Sequence, residues 1–247
     1  MSLTQVWIRY AKERESQNFL LLLQDFKPNV NERDNFGYTA LHYLSGWNMN
    51  DCIKVLLQHK DIDVNVTDFA NQTPFYSVCF CGREDTILQF LTNPSINLDL
   101  NVISYGVHSF YYLLKYQFHR SIKIYMQFDN VNYNFQDKNG LNLFYWACHY
   151  NNEYAINQLL EKDGVEYNCT NPNGRTAFHI CCKRGKLDIV EKLLQKGVQW
   201  NTRDKINATP FQWLCYHARK YTGNSVDTSV IDELCKDHLI EVINLCK

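Results

Sequence analysis

One local signature returns six times along this 247-residue chain, at spacings of 34, 35, 34, 34 and 33 residues. Its anchor is Gly37, Asn71, Gly106, Gly140, Gly174 and Asn207. Two residues on stands a helix-starting position, held by Thr39, Thr73, His108, Asn142, Thr176 and Thr209. Two further on comes a large apolar residue: Leu41, Phe75, Phe110, Phe144, Phe178 and Phe211. Self-similarity at this period means one supersecondary unit stacked many times, because a unit so small cannot cover its own apolar face. The chain is thereby confined to a repeat architecture, and its class of function to binding.

The residues of each unit say how it is built. Asp34, Asp68, Asp137 and Asp204 begin turns, and the Gly or Asn three residues on supplies a backbone conformation that β-branched residues resist. Thr39, Thr73, Thr176 and Thr209 suit the N-cap of a first helix, and Pro74 and Pro210 follow where a missing N–H costs nothing. A second helix is expected to end near Leu56–Leu57, Leu159–Leu160 and Leu193–Leu194. The fold class predicted is all-α, a solenoid of helix–turn–helix units joined by hairpin-like turns.

The run Asn173–Gly174–Arg175–Thr176–Ala177–Phe178–His179, then Gly185 and Ile189–Gly197, resembles an ankyrin repeat. Phe36–Gly37–Tyr38–Thr39–Ala40–Leu41–His42 with Ile53–Leu57 resembles one equally, and the other units do so more loosely. The resemblance covers nearly the whole chain and implies one domain, 1–247. Its units are a polar N-terminal cap at 1–33, then 34–67, 68–102, 103–136, 137–170 and 171–203, and a divergent C-terminal unit at 204–247. The first unit lacks the turn signature and offers a helix pair, Leu3–Glu15 and Gln17–Asp25. Unit 103–136 is the most degenerate, with His108 in place of the capping Thr. In the last unit the first helix runs on through His217 and Lys220, and a helix from Ile231 to Leu245 is expected as a C-terminal cap.

Composition removes several alternatives. A formal net charge of −1 gives no bulk case for nucleic acid. The first residues lack an apolar leader, and no segment approaches ~18 unbroken apolar residues, so a soluble, intracellular, monomeric chain with no membrane insertion is expected. Of ten cysteines, Cys79, Cys148, Cys181, Cys182 and Cys215 share one phase of the repeat and read as small core residues in a reducing cytoplasm. No zinc spacing, P-loop, nucleophile elbow or HExxH occurs, so no catalytic residue, metal or cofactor is assigned and the chain is read as no enzyme. His42 and His179 are expected to bond back to the capping Thr or to the next repeat. Asn65 and Asn201 resemble asparagines hydroxylated in other ankyrin proteins, and also suit plain loop stabilisation.

The resemblance also implies a binding surface, formed by the end of each first helix and by the turn tips. At the helix ends this surface comprises Trp47, Phe80, Cys81, Lys115, Tyr116, His149, Tyr150, Lys183, Arg184, Tyr216 and His217. At the tips it comprises Asn35, Phe36, Tyr38, Phe69, Gln72, Tyr105, Lys138, Asn139, Leu141, Arg175 and Lys205. None of these is acidic, and many are aromatic at positions that should face water, which marks interaction surfaces. The partner expected is another protein, an extended or helical segment with apolar anchors and acidic residues. Two variants stay open: an adaptor acting in a host cytosol, recruiting an enzyme such as ubiquitin-ligase machinery, and a regulatory domain of a larger enzyme.

Overall fold

The computed structural model describes the backbone of residues 3–222 and the side chains of residues 5–216. The helix expected from Ile231 and the side chain of His217 lie outside the described residues. Residue contacts cluster into two compact units, Met1–Asn132 and Tyr133–Lys247.

The first unit holds α1 (Leu3–Glu13), α2 (Ser16–Phe26), α3 (Ala40–Trp47), α4 (Asn50–Leu56), α5 (Pro74–Cys81) and α6 (Glu84–Leu91). A two-stranded hairpin, β1 (Ile103–Ser104) and β2 (Val107–His108), precedes α7 (Ser109–Lys115) and α8 (His119–Tyr125). First helices pack in one row, α1 on α3 on α5 on α7, and second helices in another, α2 on α4 on α6 on α8. The second unit repeats the plan. There α9 (Leu143–His149), α11 (Ala177–Lys183) and α13 (Pro210–Thr222) form the first row, with α10 (Glu153–Glu161) and α12 (Leu187–Gln195) in the second.

These helices are short, seven to nine residues in most repeats, and could not persist alone in water. Burial sustains them. All six anchors, from Leu41 to Phe211, are essentially inaccessible, and each such side chain contributes about 1.5–3 kcal/mol on leaving water. Cys52, Cys79, Cys148, Cys181 and Cys182 are buried, as small hydrophobes should be. Cys215 is buried at the same phase but is disulfide-bonded, which the reading as a reduced thiol did not foresee.

Two left-handed positions punctuate the repeats. The first is the expected anchor, with φ between +60° and +81° from Gly37 to Asn207. The second lies eleven residues on, between the two helices, at Asn48, Gly82, Gln117, Asn151 and Gly185. Gly82 is needed there twice over, since an added Cβ would come within 3.0 Å of the Tyr116 ring.

At each tip one side chain closes the turn. Asp34 Oδ1 accepts from the amides of Phe36 and Tyr38 at 2.8 and 3.0 Å, and Asp68, Asp137, Asn171 and Asp204 do the same. Unit 103–136 has no such residue, and there the antiparallel hairpin takes over, with Tyr105 and Gly106 both at positive φ as a tight two-residue turn demands. Helix starts are capped as the sequence implies: Thr73, Asn142 and Thr176 accept from the amide three residues on, and His108 Nδ1 from Phe110.

The loops after the second helices are stapled by an asparagine ladder. Asn65 Nδ2 donates to the Asn97 carbonyl at 2.7 Å while its Oδ1 accepts from the Asp99 amide at 2.8 Å. Asn31, Asn101 and Asn134 make the same pair of bonds to the next loop. Each thereby satisfies backbone groups that the next helix pair leaves open.

Candidate functional site

The surface at the ends of the first helices begins with a bond the sequence reading missed. In three repeats an aromatic residue nine positions after the turn aspartate donates to that aspartate's second oxygen, Oδ2. Tyr43 Oη reaches Asp34 Oδ2 at 2.6 Å, Trp146 Nε1 reaches Asp137 Oδ2 at 3.1 Å, and Trp213 Nε1 reaches Asp204 Oδ2 at 3.0 Å. The tip and the first helix are thus locked together, and the ring is held rigid. The constant spacing from Asp to Tyr or Trp was the available signal.

In the first unit, Tyr38, Tyr43, Trp47 and Phe80 line a hollow of about 350 Å³ between α3 and α5, with His42, Gly46, Gln72, Ser77 and Cys81 completing it. Trp47 and Phe80 are about half exposed. The Arg14 guanidinium lies 4.0 Å from the Trp47 ring centre, and Lys12 approaches Phe36 and Tyr43 at 6.0 and 5.8 Å. Cations therefore rim an aromatic wall. Phe36, Phe69 and Tyr105 stand out from the tips, 61%, 75% and 68% exposed. Adjacent tips join through the Phe69 amide and the Phe36 carbonyl at 3.3 Å. Tyr116 folds back over Gly82 and donates to the Phe80 carbonyl at 3.1 Å, and Lys115 extends over the Tyr116 ring at 5.5 Å.

In the second unit the equivalent hollow, between α9 and α11, measures about 650 Å³. Arg175, Lys183, Arg184 and Lys186 line it, with Tyr145, His149, Asn151, Asn171, Asn173 and Ile180. Tyr150 is half-buried and stacks on Trp146 at 5.9 Å. Lys138 and Lys205 are exposed at their tips, and Tyr216 is exposed beside Trp213.

One phase of the tips differs from expectation, the residue just after the left-handed anchor. Leu141, expected at an exposed tip, is buried, and Tyr38 and Arg175 at the same phase are half-buried. The residue after the left-handed anchor heads back into the stack, and water does not reach it freely. Arg175 is not an unpaired cation either: its Nε meets Asp204 Oδ2 at 2.9 Å, a neighbour the tip residues alone do not disclose.

Histidines here serve structure. His42 Nδ1 accepts from the Thr39 amide at 3.1 Å, which leaves the proton on Nε2 to donate to the Gln72 carbonyl at 3.0 Å in the next repeat. His179 does likewise with Thr176 and Ala208. Burial holds both imidazoles below their usual range despite the bonds to Gln72 and Ala208, and burial and then Arg184 lower His149. Burial alone pushes His108 down to about 4. For Asp204, burial opposes ionisation, but the Arg175 guanidinium, the Ala208 amide and the Trp213 indole outweigh it and bring the carboxyl down to about 2. Among the described residues no group of three or more His, Cys, Asp or Glu is placed to hold a metal ion, and no helix is long and apolar enough to cross a membrane.

The chain matches the family model described as ankyrin repeats (3 copies) over residues 8–102 and again over 110–204. Its structure is similar to that of the ankyrin repeat domain of Bcl-3, a member of the IkappaB protein family. The TM-score is 0.61 at 18% identity, with 84% of this chain and 92% of that one covered. It is also similar to a chain in the structure of Bd0816, a predatory endopeptidase from Bdellovibrio bacteriovorus, in complex with immunity protein Bd3460. There the TM-score is 0.57 at 19% identity, covering 76% and 95%. At these identities the likeness is one of fold, while the two family matches take in most of the sequence. The chain belongs to the ankyrin-repeat family.

Proposed function

We propose that this chain is a non-catalytic protein-interaction module that binds a segment of a partner protein along the first-helix ends and turn tips. The observation that carries the reading is the exposure of large aromatic side chains at fixed repeat phases, Trp47, Phe80, Phe36, Phe69 and Tyr105 above all. Aromatic residues held in place lose little entropy on binding and dominate interface energetics. Ankyrin repeats are protein-interaction modules, and one of the two similar structures is that of an endopeptidase in complex with an immunity protein. The partner preferred carries apolar anchors where it meets the aromatic hollow of the first unit, and acidic residues where it meets Lys12 and Arg14 of that unit or Lys183 and Arg184 of the second.

Selection of peptides from a random display library on the immobilised chain tests this reading. Enrichment of a shared pattern with aromatic or aliphatic anchors is expected, with binding lost on Trp47→Ala with Phe80→Ala. A library that yields no specific binder, or binders indifferent to those two side chains and to Lys183 and Arg184, would sink it.

A further inference from the structure

The hollow between α9 and α11 has an uneven charge balance. Four cations line it and no carboxylate does. Lys186 is spent on Glu153 at 2.6 Å, and Arg184 donates to the His149 carbonyl at the end of α9. Arg175 gives its Nε to Asp204, yet among the described residues its two Nη groups donate to nothing. Lys183 Nζ likewise makes no hydrogen bond there and sits 4.9 Å from the Trp213 ring centre. Arg175 lies over the same indole at 4.4 Å.

Two cations are thus gathered on one ring, and that ring is fixed by its own bond to Asp204. Holding two like charges over one ring costs energy, which the single Asp204 carboxylate, paired with Arg175, offsets only in part. The C-termini of α9 and α11 offset part of this charge, about half a unit each at most, and Arg184 already answers the α9 carbonyls. Donors remain: the fork of an arginine whose Nε is held by Asp204 and whose guanidinium lies over Trp213, and a lysine ammonium over the same ring. A guanidinium presenting both Nη groups matches the two oxygens of a carboxylate. A phosphate dianion fits less well, because the Asp204 carboxylate on the other side of the same guanidinium would repel it more strongly.

We propose that this hollow is a specificity subsite for an Asp or Glu side chain of the partner segment, bound by the Arg175 fork and Lys183, with Trp213 and Asp204 as positioning residues. The inference rests on the interaction-module reading and names the chemistry that one part of the surface selects.

Amide shifts of the isotopically labelled chain, titrated with amidated peptides of alternating Gly and Glu, Gly and Gln, or Gly and phosphoserine, provide the test. Amidation removes the terminal carboxylate as a rival. The Glu peptide is expected to shift amides around Asn173, Arg175 and Lys183 at millimolar concentration, and the Gln peptide to leave them in place. Lys183→Gln, at an exposed position that tolerates change, should weaken the Glu peptide roughly tenfold, the worth of one charge-assisted bond. Arg175→Lys keeps a cation for Asp204 but loses the fork, and should weaken it too, while Lys196→Gln on the exposed end of α12 should not. Absence of shifts with Glu, equal shifts with Gln, tighter binding of phosphoserine, or indifference to Lys183→Gln would each overturn the subsite. The peptide-display selection separates this from failure of the broader reading. Binders without acidic residues that tolerate Lys183→Gln but need Trp47 and Phe80 would remove the subsite and leave the interaction module standing.

Discussion

The hollow between α3 and α5 and the one between α9 and α11 occupy the same place in their repeats and are built on the same tip-to-helix bond, Tyr43 to Asp34 in one and Trp146 to Asp137 in the other. Their walls nonetheless differ. Gly46, Phe80 and Cys81 stand where His149, Lys183 and Arg184 stand in the second. The inward phases of the repeat must stay apolar to keep the stack buried, whereas the helix-end phases contribute little to it. Those outer phases are free to vary, so one backbone presents a ring surface in one unit and a cationic one in the other.

The aspartates should show the largest contrast. Asp204→Ala removes the acceptor for two turn amides, for Trp213 and for the half-buried Arg175, leaving that guanidinium without its carboxylate. A loss of about 3–5 kcal/mol is expected. Asp34→Ala removes two turn amides and Tyr43 but strands no cation, so about 1–3 kcal/mol is expected. Urea unfolding of the two variants ranks them, and equal losses would remove the special role given to the Arg175–Asp204 pair.

Acid should act next, and mostly through buried histidines. His42, His108 and His179 have folded pKa values below the ordinary 6.5. The unfolded chain therefore binds more protons than the folded one once pH drops through that value. Their contribution is full above about pH 6.5, falls as pH decreases, and for His108 is exhausted near pH 4. The share of His108 amounts to a few kcal/mol at most, because each tenfold change in proton affinity between the folded and unfolded chain is worth about 1.4 kcal/mol. Asp204, with its pKa lowered to about 2, gives stability present above the unfolded carboxylate range and lost only as pH falls towards 2. Urea midpoints at pH 7.5, 5.5 and 4 should decline in that order, and the step between 5.5 and 4 should shrink in His108→Gln. A flat profile would contradict the neutral, buried imidazoles.

Smaller effects separate the walls themselves. Trp47→Ala and Phe80→Ala should each cost about 1–2 kcal/mol of partner binding with an unchanged salt dependence, while Lys183→Gln should reduce the salt dependence. Isothermal titration at two salt concentrations distinguishes them. Gly82→Ala forces a Cβ at φ +67° against Tyr116 and should lower stability by about 1 kcal/mol or more. Lys183→Gln should change stability by less than about 0.5 kcal/mol, which makes it the cleanest probe of the second hollow.

Much of the repeat was legible because each of its requirements falls on a particular residue type. A left-handed anchor needs Gly or Asn, a helix start needs an oxygen beside it, and the buried anchor needs Leu or Phe. The Thr39–His42 and Thr176–His179 boxes were legible for the same reason. Less visible was the second left-handed position, since Gln117 holds it as well as Gly82 does. The hairpin around Tyr105 and Gly106 was not anticipated either: it arises where the turn Asp is missing and backbone pairing must replace it.

For the binding surface, residue identity showed which side chains were aromatic or cationic, and repeat phase showed roughly where they emerge. Leu141 and Arg175 mark the limit of that reasoning. One is buried and the other is held by Asp204, because exposure and charge balance depend on what the next repeat brings alongside. Local chemistry along the chain determined the repeat, its caps, its turns and its family. Tertiary structure alone decided which cations keep donors to spare and which turn-tip side chains fold back into the stack, because each depends on contacts between residues some thirty positions apart.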